Sequence, residues 1–305
     1  MEHIWIALTV LAALLQAVRT AAQRDLNQRM SALATTYVRS LMGLPLMVVY
    51  LAVVVRLSGE GVPKLGSAFL AYALAGAIAQ VMATWLLILM FRLRNFAVGT
   101  MLTKSDIVIT AILGSALFSE VFTRSGIVAL VVVMAGVVMM SLERTGRAFT
   151  SGGQSVSLFA DRSLPVAFGC AFCFAISYLT FREATLVIGQ GSFPWRGAWT
   201  VTIAIGMQTV IVGLYLAVTE PKCFTQIRPN LKIASFIGTT SAIGSICWFT
   251  AFAMQNASYV RAVGQVEVVF TLLVSALYFR ERVSALEYIG IAVTVLGILL
   301  FRLGA

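Results

Sequence analysis

Two carboxylates stand out by position. Asp106 and Glu267 each lie near the middle of an apolar run. An ionised group deep in a hydrocarbon layer costs several kcal/mol, so such an acid faces a wet cavity or a partner. At helical spacing Thr103, Asp106 and Thr110 share one face of the first run. Gly264, Glu267 and Thr271 share the matching face of the second. Acids placed there can exchange a proton or hold a cationic group, or a basic neighbour can neutralise them as an inert ion pair. Lys104 stands two positions before Asp106. Residues two apart lie about 200° apart around a helix, which strains pairing within that helix. Lys104 is then left to reach across to an acid with its stem bent inward, or to bind a substrate carboxylate as a point charge. Gln265 occupies the same place before Glu267.

A second polar stripe is formed by Gln80 and Thr84 in one run and Ser241, Ser245 and Trp248 in another. Hydroxyls and amides beside an indole suit a small amphipathic solute, and they suit hydrogen bonding between helices equally well. Gln16 and Tyr178 are further candidates for lining a cavity. Arg19 and Arg261 lie near the ends of their runs, where a long side chain can snorkel to the headgroups. Glu120 and Glu281 fall where one run ends and the next begins, and read as turn-and-cap residues.

Other chemistries are poorly provided for. The one histidine is His3, which argues against a Ser-His-Asp triad or a histidine-based metal site. Cys170 and Cys173 have redox or metal spacing, but their apolar context reads as two small buried side chains. No G-x-x-x-x-G-K-[ST] loop is present to couple ATP. No cofactor and no metal are expected.

The elements that carry these residues must be membrane helices. Of 305 residues, 60% are hydrophobic and 11% charged, with a mean hydropathy of +0.94. That is too few charged groups to coat a soluble domain. The net charge of +10 suits loops facing anionic lipid rather than nucleic acid. A spanning helix needs about 20 apolar residues, because its backbone must satisfy itself. Ten segments qualify, near 4–22, 32–55, 67–91, 96–118, 125–142, 164–181, 197–218, 233–252, 258–279 and 285–302. None of the prolines falls in spans three, four, eight or nine, which disfavours a broken-helix ion site.

An offset of 161 residues overlays Phe91–Leu142 on Phe252–Leu303 without a gap. Asn95 then meets Asn256, Glu120 meets Glu281, Gly136 meets Gly297, and Asp106 falls opposite Glu267. Five spans per repeat is an odd number, so the second repeat enters the membrane from the other side. The expected fold class is all-α integral membrane, with ten transmembrane helices as two inverted five-helix repeats. The expected organisation is a repeat over 1–142, a linker over 143–163 and a repeat over 164–305.

The chain resembles the drug/metabolite transporter superfamily, in its ten-helix form with two EamA domains. The resemblance rests on Tyr37-Val-Arg39-Ser-Leu-Met-Gly43-Leu-Pro45, Phe252-Ala-Met-Gln-Asn-Ala-Ser258 and Leu277-Tyr-Phe-Arg-Glu281 followed by Gly290 and Gly297. Weaker echoes are Leu117-Phe-Ser-Glu120 and Gly136. It covers essentially the whole chain. Many relatives carry a proline early in the fourth and ninth helices, where this chain has Ile107 and Val268. The match at Arg39 implies a helix-tethering role. The resemblance implies both termini in the cytoplasm of a bacterial inner membrane, whereas the excess of loop Lys and Arg opposite the termini argues the reverse.

The function expected from this is secondary transport by alternating access, as exporter or exchanger of a small polar or amphipathic metabolite such as an amino acid. Protons are the candidate coupling ion. The alternative is an intramembrane enzyme acting on a lipid-linked substrate. The expected partners are a small-molecule substrate and membrane lipids, with the chain a monomer or homodimer.

Overall fold

The computed structural model describes residues 3–93, 103–151, 163–278 and 284–304; within them the side chains at 91–93, 103, 141–151, 163–164, 274–278 and 302–304 are not described. The chain forms α1 (Ile4–Leu26), α2 (Ala32–Ser58), α3 (Ser67–Leu93), α4 (Asp106–Leu117), α5 (Arg124–Ser151), α6 (Ser163–Val187) and α7 (Phe193–Thr219). It continues with α8 (Leu231–Met254), α9 (Ala257–Gly264), α10 (Val266–Tyr278) and α11 (Ala285–Gly304). Among the described residues, six helices are long and apolar enough to cross a membrane, and Asp106–Leu117, Arg124–Met140 and Ala285–Phe301 are shorter apolar helices.

Polar residues at the helix ends set several boundaries. The Ser31 side chain accepts a hydrogen bond from the Ala34 amide at 3.1 Å and starts α2, which ends on Gly59 at a left-handed φ of 67°. Ser284 and Glu287 form a reciprocal capping box at the start of α11, with bonds of 2.7 and 3.1 Å.

The packing is pseudo-two-fold. The opening helix of each repeat lies against the third helix of the other, α1 on α8 and α6 on α3. Like meets like where α2 packs on α7 and α5 on α11. At the latter contact Gly136 admits the backbone of α11: an added Cβ would lie 2.3 Å from Thr294 Oγ1 and 2.7 Å from the Gly290 carbonyl oxygen. Large apolar side chains such as Val49, Val131, Leu214 and Leu296 face outward, while Thr9, Arg39, Gln208 and Gln265 are buried inside. A chain whose solvent is lipid has that distribution. It is an all-α membrane protein built of two five-helix repeats.

The ninth span differs from expectation. It is not one helix: α9 stops at Gly264 and α10 begins at Val266, with Gln265 as a turn whose amide bonds Ala262 O at 3.1 Å. Tertiary packing makes this break without a proline, because Gly264 lies under the Trp248 ring, where an added Cβ would be 2.3 Å from Cη2. The equivalent place in the first repeat is also irregular. Thr103–Ser105 form a 3-10 turn and Asp106 is the first residue of α4. Both acids therefore stand in the first turn of a half-span helix, where the N-terminal end of the helix dipole favours negative charge.

Candidate functional site

The two half-helix starts face one another, and each acid is bonded to a base from the opposite repeat. Arg261 Nη2 donates to Asp106 Oδ2 at 2.7 Å, and Lys104 Nζ donates to Glu267 Oε2 at 3.0 Å. All four side chains are buried. Arg261, expected to snorkel, is 2% exposed. A carboxylate of the other repeat is nearer to it than the headgroups are, and its guanidinium carbon sits 4.3 Å from the Tyr178 ring centroid and 5.0 Å from that of Trp248. Each of these acids is thus ion-paired with a basic side chain.

A polar chain joins the two pairs. Gln16 Nε2 donates to Glu267 Oε2 at 3.0 Å, and Gln16 Oε1 accepts from Trp248 Nε1 at 3.2 Å. Trp248 stacks on Phe252, and Phe252 meets Tyr178 at a tilt of 36°. One wall of rings thus touches the ion pairs on one side and a cavity on the other.

That cavity is small, about 30 Å³, and is lined by Gln16, Arg19, Arg39, Gln80 and Ser245 with Phe174, Tyr178, Phe181, Trp248, Phe249 and Phe252. A space of that size holds about one water, so the chain is closed around it. Arg19 lines this cavity, where a headgroup position was expected for it. Arg39 Nη2 donates to Gln208 Oε1 at 2.8 Å, and Gln208 Nε2 to Gln80 Oε1 at 2.7 Å, tying α2, α7 and α3 together. The expected tether is there, on a residue that also faces the cavity.

The sequence-derived candidates divide accordingly. Gln80, Ser245 and Trp248, with Gln16 and Tyr178, line the cavity. Asp106, Glu267 and Lys104 form the layer behind Trp248. Thr84, Thr110 and Thr271 donate to carbonyls four residues back, at Gln80, Asp106 and Glu267, so their hydroxyls serve their own helices. Ser241 is buried away from the cavity. Gln265 occupies the break, its Nε2 3.4 Å from Arg261 O and its Oε1 without a partner. The Thr103 side chain lies outside the described residues.

Glu120 caps a helix, but not the one that follows it. Its carboxylate accepts from the Ala257 amide at 2.6 Å and from Ser258, and lies 3.7 Å from Arg182 Nε, so it closes the start of α9 in the other repeat. Its counterpart Glu281 lies outside the described residues. Gln208 was missed, and the signal for it is a lone amide inside the apolar run Val201–Val218.

The fit of Trp248 over Gly264 gives a direct test. Gly264→Ala is expected to displace the indole and break its bond to Gln16, read as a shift and quenching of tryptophan emission in the purified protein. Unchanged emission would remove Trp248 from its bridging position.

Comparison with known proteins came out as follows. A family model described as the EamA-like transporter family matches residues 3–142 and again 162–303. A crystal structure of a protein 14% identical superposes with a TM-score of 0.69, covering 99% of this chain and 96% of that one, a likeness of fold. A search of curated proteins found no match.

Proposed function

The chain belongs to the EamA-like transporter family, and from that premise we propose that it is a secondary carrier moving a small polar or amphipathic metabolite through its central cavity by alternating access. The observation that carries this reading is the crosswise pairing of Lys104 with Glu267 and Arg261 with Asp106 beside a closed cavity. Two pseudo-symmetric repeats held by a few breakable charged contacts around an internal site have the parts that rocking transport requires. The ring wall of Tyr178, Trp248 and Phe252 is shared by the contacts and the cavity, so a solute that parts the rings also disturbs the pairs.

A proton is the candidate coupling ion in this proposal. Protonation of Glu267 would release Lys104 and loosen α10 from the start of α4; Gln16, Arg261 and Arg19 are the other polar groups acting on it. The test is counterflow in sealed proteoliposomes with a panel of radiolabelled metabolites. A carrier accumulates unmodified solute against a preloaded pool. Glu267→Gln is expected to retain exchange while losing its response to an imposed pH gradient. Absence of exchange across the panel would overturn the carrier reading, and an unaltered pH response would overturn the role of Glu267.

A further inference from the structure

Among the described residues, Arg19, Arg39, Lys104 and Arg261 are basic side chains that reach the interior of the bundle, and they are not treated alike. Lys104 and Arg261 are each bonded to a carboxylate. Arg39 is 3% exposed, its bonded partner among the described residues is the neutral amide of Gln208, and its Nε has none there. Arg19 makes no hydrogen bond or ion pair among the described residues, and its buried Nε is likewise without a partner. Both arginines line the cavity and lie within one another's repulsive field. Among the described residues Glu267 is the acid whose field reaches Arg19, and it is already engaged by Lys104 and Gln16.

Burying a cation costs several kcal/mol unless an anion or a full set of hydrogen bonds compensates it. A buried Arg39 and a half-buried Arg19 lining one cavity without a carboxylate are a site whose missing partner is negative. The guanidinium fork suits a carboxylate or phosphate oxygen pair, and being always charged it cannot escape the cost by losing its proton. The rest of the wall is six rings with the polar groups of Gln16, Gln80 and Ser245, so the remainder of the ligand is planar or apolar with room for a polar substituent. We infer that the transported solute is a small organic anion whose carboxylate or phosphate sits between Arg19 and Arg39 and whose body packs on Tyr178, Trp248 and Phe252. Arg39 is held in place through Gln208 and Gln80, while Arg19 is free to close on the ligand. A lipid headgroup carries the same oxygen pair, and competition by phosphatidylglycerol separates it from a free solute; the cavity, which holds about one water in this closed state, must widen for either.

This inference rests on the carrier reading for its meaning but can fail separately from it. The test is binding of radiolabelled phenylacetate to the full chain purified in detergent, with phenethyl alcohol, phenethylamine and phenyl phosphate as competitors. These share one ring and differ in charge. Phenylacetate is expected to bind and phenyl phosphate to compete with it, while the alcohol and the amine leave it in place. Arg19→Gln is expected to weaken binding at least about tenfold, the loss of one charged contact, and Arg19→Lys to restore most of it. The Arg19 variants break no hydrogen bond of the fold, and the competition series needs no variant.

Absence of phenylacetate binding, equal competition by the alcohol or the amine, displacement by phosphatidylglycerol, or unchanged binding by Arg19→Gln would each overturn the inference. If the anion binds but is not exchanged in proteoliposomes, the carrier reading falls and the anion site stands. If the amine is exchanged and the anion ignored, the reverse holds.

Discussion

Arg261→Met is expected to cost about 3–5 kcal/mol of stability, because it strands the Asp106 carboxylate, 2% exposed, with no other ion-pair partner among the described residues. It also removes a cation lying over Tyr178 and Trp248, a contribution of about 2 kcal/mol where desolvated. Asp106→Leu alone leaves the guanidinium uncompensated and is expected to be as damaging. The double variant Asp106→Leu/Arg261→Met removes both charges and is expected to be more stable than either single one, since an apolar pair of similar volume carries no desolvation penalty. Unfolding midpoints of the four proteins in one detergent check this. Additive losses would mean that the pair is not coupled as its 2.7 Å contact requires.

Gly136→Ala is the second large effect. The new methyl would meet Thr294 Oγ1 at 2.3 Å, the Thr294 backbone nitrogen at 2.6 Å and the Gly290 carbonyl oxygen at 2.7 Å. Two of those atoms are backbone, so α5 and α11 must separate, at a cost on the order of 3 kcal/mol. Gly206→Ala is the matched control: its Cβ would have Leu44 Cδ1 at 4.0 Å and nothing closer. It is expected to be neutral or slightly stabilising, through the better helix propensity of alanine. Equal midpoints for the two variants would remove the close approach at Gly136.

Much of this architecture is legible in the sequence, for reasons that particular residues make plain. An acid inside an apolar run is rare enough that Asp106 and Glu267 declare themselves, and the 161-residue offset aligns the two places where the spans are irregular. What the offset does not tell is that the helix breaks at Gln265. Helix-breaking signals are local, whereas this break depends on Trp248 from another helix lying over Gly264. Arg261 was misjudged for a related reason. Distance from a span's end predicts access to headgroups only where no counter-ion is closer, and Asp106, 155 residues away in the chain, is closer. The Thr hydroxyls at 84, 110 and 271 are indistinguishable in sequence from cavity-lining groups, because bonding a carbonyl four residues back leaves no trace in composition. The cavity itself draws on Arg19, read from the sequence as a headgroup-facing residue, and on Arg39, read as a tether; the inward turn of both leaves no mark in the sequence.

The symmetry between the repeats is incomplete where it bears on motion. By the same offset Lys104 corresponds to Gln265, and Arg261 to Thr100. If the repeats were to trade shapes, as the reversal of access demands, the counterparts of the two clasping cations would be an amide and a hydroxyl. The doorway that shuts with full charge on one face of the membrane would shut with neutral groups on the other. In a carrier of the kind proposed, the two end points of the cycle would then differ in energy, and the unloaded protein would rest with the strongly clasped side closed. Directionality would be written into two side chains rather than into the path the solute follows.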